Sequence, residues 1–130
     1  MLTEPPSLLI TDDDTAFRET LRGVFEPRGF RTLLAGDGEE ALDIVRNEEI
    51  HIVLLDMHMP KLTGLETLRI LKQFRSLLPI ILLSAGLDDV LAEQARRARA
   101  YSVLSKPISG RQITSIVRQA LKWAYNWPDE

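Results

Sequence analysis

Four short apolar runs punctuate the chain, and each closes on a polar group. Leu8-Leu9-Ile10-Thr11 runs into Asp12-Asp13-Asp14, and Ile52-Val53-Leu54-Leu55 ends on Asp56. Ile80-Ile81-Leu82-Leu83 ends on Ser84, and Val103-Leu104-Ser105 ends on Lys106-Pro107. Short bounded runs without alternation are what strands buried on both faces of a parallel sheet require. They predict strands from Ser7 to Thr11, from His51 to Leu55, from just after Pro79 to Ser84, and from Tyr101 to Ser105. A fifth strand, Arg31 to Ala35, is less apolar and reads as nearer an edge.

Between these runs the period lengthens to that of a helix. The first helix, about residues 15–26, sets Phe17, Leu21, Val24 and Phe25 on one face, and Pro27 and Gly29 stop it. The second opens at Asp37 with Glu40 and presents Ala41, Leu42, Ile44 and Val45. The third opens at Thr63 with Glu66 and turns Leu65, Leu68, Ile70 and Leu71 inward. The fourth covers about 88–98. The fifth opens at Ser109 with Gln112 and buries Ile113, Ile116, Val117 and Leu121. Asp37/Glu40, Thr63/Glu66 and Ser109/Gln112 each have the spacing of a capping box. Alternating strands and helices with short connections predict βαβ units, right-handed crossovers and helices on both faces of the sheet. Periodicity alone leaves the strand order open.

At 130 residues this is one domain, long enough to bury a core without covalent staples. A net charge of -3 gives no general pull toward nucleic acid or anionic lipid, so neither is expected as a direct partner. Zero cysteines exclude disulfides, thiolate metal sites and a cysteine nucleophile. No basic segment followed by an apolar one marks a signal peptide, and no apolar run reaches the length of a membrane span. The expected organisation is a loose leader over 1–6, a domain over 7–123 and a tail or linker start over 124–130, in the cytoplasm.

The polar ends of the strands carry the chemistry. In open α/β sheets the carboxyl edge of the strands is where sites form. Three carboxylates, a hydroxyl and an ammonium are therefore offered to one crevice. Carboxylates that share a cleft repel one another, and a bound cation removes the conflict. Oxygen ligands without cysteine point to Mg²⁺ or Mn²⁺. A carboxylate beside such an ion can attack phosphorus and become an acyl phosphate. Taken singly, the same residues have plainer uses: Asp12 to Asp14 as a helix cap, Asp56 as a turn-former, Ser84 as a loop hydroxyl, Lys106 as a surface lysine. The side chains of both histidines, His51 and His58, read as non-ligands, with His51 exposed at a strand start and His58 in the loop bordering the cleft.

From Ser7 to Trp123 the chain resembles the receiver domain of two-component response regulators, of which the chemotaxis regulator is a single-domain example. The resemblance rests on Asp12-Asp13, on Leu54-Leu55-Asp56-Met57-His58-Met59-Pro60, on Gly64, on Ser84-Ala85 and on Lys106-Pro107 in that order and spacing. It implies a flavodoxin-like, doubly wound (βα)5 three-layer sandwich with sheet order 2-1-3-4-5. It implies Asp56 as the phosphoacceptor, fed by a histidine kinase or phosphotransfer protein. Asp13 would ligate Mg²⁺ directly, Asp12 would hold a metal-bound water, and the backbone carbonyl of His58 would be a further ligand. Lys106, Ser84 and the Ala85 amide would contact the phosphoryl group, with a cis bond before Pro107. Phosphorylation would then switch the surface of the fourth helix, fifth strand and fifth helix toward an output domain, a target protein or a second copy. His58 and Gly86, each two residues past a site residue, would set the phosphate lifetime.

Two positions depart from the family pattern. Val103 stands where Phe or Tyr is usual, three residues before the lysine. Tyr101, two residues earlier, falls on the same side of the strand by period 2 and is the candidate substitute. Arg99-Ala100 stands where Gly-Ala is common, which predicts an altered turn after the fourth helix. Arg96, Arg97, Arg99, Arg111 and Arg118 make this half basic, as solvated helix faces or as a partner patch. Three other readings compete with a signalling receiver. An aspartate-nucleophile phosphatase would usually carry a second Asp where His58 stands. A flavin module would need a Ser/Thr/Gly-rich loop in place of Asp12-Asp13-Asp14. A receiver-like module that only binds partners, without phosphorylation, is the third.

Overall fold

The computed structural model describes residues 5–128. Five parallel strands, β1 (Ser7–Thr11), β2 (Arg31–Ala35), β3 (Ile52–Asp56), β4 (Ile80–Ser84) and β5 (Ser102–Ser105), form one sheet in the order β2-β1-β3-β4-β5. Five helices alternate with them: α1 (Thr15–Phe25), α2 (Gly38–Asn47), α3 (Gly64–Phe74), α4 (Asp89–Arg97) and α5 (Gly110–Tyr125). A 3-10 turn, Glu26–Arg28, follows α1, because Pro27 cannot continue the helix and Gly29, at φ 89°, reverses the chain.

The unbroken apolar runs are explained by the two layers they feed. On one face Leu9, Val53, Leu55, Ile80 and Leu82 pack against α2, α3 and α4. On the other, Leu8, Ile10, Ile52, Leu54, Ile81 and Leu83 pack against α1 and α5, through Leu21, Phe25, Ile113 and Val117. β1, β3 and β4 are buried throughout, whereas β2 and β5 are only partly buried, as edge strands should be.

Caps fix where the helices start. Thr63 and Glu66 close a reciprocal capping box at α3. The Ser109 hydroxyl accepts from the Gln112 amide at α5. At α2 the Asp37 carboxylate accepts from the Glu40 amide at 2.8 Å, but Glu40 does not return the bond to Asp37. Its carboxylate accepts instead from the Gly36 amide at 2.6 Å, one residue earlier, so the expected box is open there.

His51 is not exposed: it is buried beneath the C-terminal end of α5. Its Nδ1 accepts from the Ser7 amide at 2.9 Å, and its ring meets Tyr125 and Trp127 edge-on. The Tyr125 hydroxyl donates to the His51 carbonyl at 2.7 Å. Sequence period placed His51 at a strand start; two aromatic rings from far along the chain cover it. α5 thus runs on to Tyr125, where Asn126 at φ 54° ends it. At the other end Pro6 is tied in, its carbonyl accepting from Arg31. Residues 1–4 of the expected leader and 129–130 of the expected tail lie outside the described residues.

Candidate functional site

Strand register assembles the site. Thr11 lies beside Leu55, so the next residues, Asp12 and Asp56, emerge together at the carboxyl edge of β1 and β3. Asp56 lies beside Leu83, and Ser84 beside Ser105, which brings Ser84 and Lys106 to the same edge. Each run had to end in its polar residue at a common level for this to happen.

The acidic triplet divides its labour. Asp14 is the N-cap of α1, its carboxylate accepting from the amides of Ala16 at 2.9 Å and Phe17 at 3.2 Å. Asp12 and Asp13 are left to the crevice. One carboxylate oxygen from each of Asp12, Asp13 and Asp56 lies within 4.8 Å of the others. Asp12 and Asp56 are buried and Asp13 is exposed, so the group has one open side. Asp12 is held in place by the Asp14 amide, which donates to its Oδ1 at 2.9 Å.

Lys106 spans the two buried carboxylates, with Nζ 3.0 Å from Asp12 Oδ2 and 3.1 Å from Asp56 Oδ1. Burial pushes the Asp56 carboxyl up, and the charge of Asp12 pushes it further; hydrogen bonding and charge from Lys106 and a bond from the His58 backbone oppose this without cancelling it. For Lys106 burial works against the ammonium, yet its hydrogen bonds and charge pairing with Asp12 and Asp56 hold its pKa above the usual lysine value. Lys106 therefore pairs with two of the three clustered carboxylates, and one positive charge faces three negative ones. That deficit, all-oxygen and open on one side, fits a hard divalent ion such as Mg²⁺.

Two contributors were not read as site residues from sequence. Phe17, assigned to the apolar face of α1, places its ring 4.3 Å from Lys106 Nζ and steers the ammonium toward the carboxylates. Arg18 donates to the Asp12 carbonyl at 2.6 Å. The available signal was position: both fall on the first turn after the Asp14 cap.

Ser84 is fully buried. Its hydroxyl accepts from the Gly86 amide at 3.0 Å and lies 3.4 Å from His58 Nε2. His58 does border the cleft. Ala85 and Gly86 are exposed beside it, and the Lys106–Pro107 bond is cis. Gly64 explains itself by contact. A Cβ there would lie 2.3 Å from the Asp56 carbonyl oxygen and 2.7 Å from Met57 Cα, so α3 can abut the phosphoacceptor candidate's backbone only without a side chain.

Tyr101 does not stand in for an aromatic at Val103. Val103 packs with the α2–α4 layer, while Tyr101 packs with the α1–α5 layer, against Trp123. Strand period does not reach Tyr101, because β5 begins at Ser102 and Tyr101 lies in the preceding bend. The turn after α4 is not altered either. Arg99 itself adopts φ 68°, its amide donating to Arg96 and that of Ala100 to Ala95, a complete Schellman turn with arginine in the glycine position. Of the arginines nearby, Arg96 and Arg97 both pair with Glu93.

Comparison with known proteins agrees with this geometry. Residues 8–118 match the family model described as response regulator receiver domain. The transcriptional regulatory protein CpxR of Escherichia coli (strain K12) is 32% identical over 123 residues, covering 95% of this chain and 52% of that protein. The response regulator MprA of Mycobacterium sp. (strain KMS) is 38% identical over 120 residues, covering 91% and 51%. The chain thus spans about half the length of the curated relatives it matches. Among solved structures, the receiver domain of the Francisella response regulator 1452 superposes with a TM-score of 0.85 at 29% identity, covering 91% of this chain and 98% of that one. A CheY-like receiver domain protein from Methanospirillum hungatei JF-1 gives a TM-score of 0.91 at 23% identity, covering 95% and 98%, a likeness of fold. With a family model running from β1 well into α5, and relatives above 30% identity over nearly the whole chain, this protein belongs to the response regulator receiver domain family of two-component systems.

Proposed function

We propose that Asp56 accepts a phosphoryl group from the phosphohistidine of a histidine kinase or phosphotransfer protein, in a Mg²⁺-dependent reaction for which Mn²⁺ can substitute. The observation that carries this is the clustering of Asp12, Asp13 and Asp56 within 4.8 Å, with Lys106 bridging Asp12 and Asp56. In the transfer the histidine N–P bond breaks and an Asp56 Oδ–P bond forms. Asp13 and Asp56, with the His58 carbonyl, would hold the cation directly, and Asp12 would hold one of its waters. When bound, that cation supplies positive charge to the phosphoryl oxygens. Lys106 would move its contact from the Asp56 carboxylate to a phosphoryl oxygen, remaining anchored on Asp12. The Ser84 hydroxyl and Ala85 amide would donate to the other oxygens.

To donate to the phosphoryl group the Ser84 hydroxyl would turn from His58 toward the phosphate, while a lone pair can keep accepting from the Gly86 amide. That exchange would draw on the connection between β4 and α4, and Val103 offers no ring to swing with it. The output signal would then pass from this connection to the α4–β5–α5 surface, and from there to an effector domain or partner. The chain acts as a phosphoacceptor, catalysing only its own phosphorylation and dephosphorylation. No helix of the described residues is long and apolar enough to cross a membrane, and a cytoplasmic location suits a kinase partner. Transfer from phosphoramidate, whose P–N bond mimics phosphohistidine, followed by ³¹P NMR, tests the assignment. Asp13→Asn should abolish the Mg²⁺-dependent transfer. Unchanged rates in Asp13→Asn would refute the metal assignment.

A further inference from the structure

The edge of the sheet opposite Asp56 carries a second feature, roughly one strand length or 15 Å away. A groove of about 500 Å³ opens there between the α3–β4 connection, the α4–β5 turn and the C-terminal part of α5. Its apolar wall is Leu77, Pro79, Tyr101 and Trp123. Leu77 is 82% exposed and Trp123 66%, and the Tyr101 and Trp123 rings stand 5.5 Å apart, tilted by 51°.

The other wall is cationic. Lys72 is buried, and its ammonium donates to the carbonyls of Leu78 at 2.7 Å and Ser76 at 3.2 Å, leaving one of its three N–H groups over. Arg99 lines the same groove. Among the described residues neither Lys72 nor Arg99 has a carboxylate partner, although Arg96 and Arg97 one turn away share Glu93. Burial, reinforced by the charge of Arg99, pushes the Lys72 pKa down. Two cations facing one groove without an anion, beside exposed aromatic and aliphatic surface, describe a complementary ligand: a large apolar side chain next to a carboxylate.

We propose that this groove docks a segment of a partner protein in which an aromatic residue neighbours an acidic one. The aromatic side chain would lie between Leu77, Tyr101 and Trp123, and the carboxylate against Arg99 and Lys72. This stands apart from phosphoryl transfer at Asp56 and does not depend on it.

The test uses the chain in a Trp127→Phe background, so that Trp123 is the one tryptophan reporter. The probe is the peptide N-acetyl-Phe-Glu-Phe-Asp-amide, with N-acetyl-Phe-Gln-Phe-Asn-amide as the uncharged comparison. The acidic peptide should shift Trp123 emission saturably, and the uncharged one should bind at least about fivefold more weakly. Arg99→Gly keeps the left-handed turn while removing the guanidinium. It should weaken the acidic peptide by about fivefold and leave the uncharged one unchanged. Amide shifts in ¹⁵N spectra should centre on residues 72–79, 99–101 and 123. No saturation up to about 5 mM, equal binding of both peptides, or shifts centred on Asp13 and Lys106 would each overturn the proposal.

Discussion

Replacing Lys106 by methionine tests how the crevice is held together before any cation arrives. The ammonium lies 3.0 Å and 3.1 Å from two carboxylates whose side chains are 2% and 5% exposed. At an effective dielectric of about 20, each contact is worth roughly 5 kcal/mol of gross attraction. Most of that offsets the desolvation of the three groups and the repulsion between Asp12 and Asp56. Removing one partner of a fully buried pair costs about 3–5 kcal/mol; Lys106 is 24% exposed, so a loss of about 2 kcal/mol is expected. Urea unfolding at pH 7 with chelator present measures it. Asp56→Asn in the same background should recover most of the loss, giving a coupling of about 1–2 kcal/mol. Mg²⁺ at about ten times its dissociation constant should restore about 1.4 kcal/mol to Lys106→Met. Additive single effects, or a Lys106→Met protein within about 0.5 kcal/mol of the parent, would refute the view of Lys106 as the counter-charge of the cluster.

Further outcomes follow from the same geometry. The Asp56 carboxyl has a folded pKa above its ordinary value, so its contribution to stability is present at low pH and lost as pH rises through that folded value. Asp56→Asn should therefore unfold at higher urea than the parent at pH 7, with the difference shrinking as the solution is acidified. Gly64→Ala should cost about 1–3 kcal/mol or more, because the atoms in its way are backbone, and thermal melting will show it. Arg99→Gly should stabilise by about 0.5–1 kcal/mol in the same assay, since the left-handed turn already exists and only the Cβ penalty is removed; Arg99→Ala should not. His58→Ala should change the rate of dephosphorylation of the acyl phosphate more than its rate of formation, and equal effects on both would count against a contact role at Ser84.

The fold was legible because its strands are buried on both faces. Unbroken runs such as Ile52 to Leu55 admit little else, and each ended in the residue that register later brought to the crevice. The division of labour in Asp12-Asp13-Asp14 was only half legible. Both the cap and the cluster were readable, but which carboxylate served which depended on where α1 turned. Tyr101 and His51 were misread for one reason. Local period fixes direction only inside a strand, and both residues sit just outside one, where Trp123, Tyr125 and Trp127 decide their surroundings. Arg99 shows the opposite limit. Sequence flagged the missing glycine, yet the turn formed anyway, because two hydrogen bonds offset the strain of a side chain at positive φ. A long-range pair such as Phe17 with Lys106 leaves no periodic trace at all.

The most direct measurement is intact mass after incubation with acetyl phosphate, with and without Mg²⁺, in the parent chain and in Asp56→Asn. A gain of about one phosphoryl group that requires Mg²⁺ and disappears in Asp56→Asn is the predicted result. A gain that survives in Asp56→Asn, or no gain in the parent from this donor or from a phosphorylated kinase, would contradict the assignment of Asp56. The latter result would leave the domain as a partner-binding module on the same scaffold.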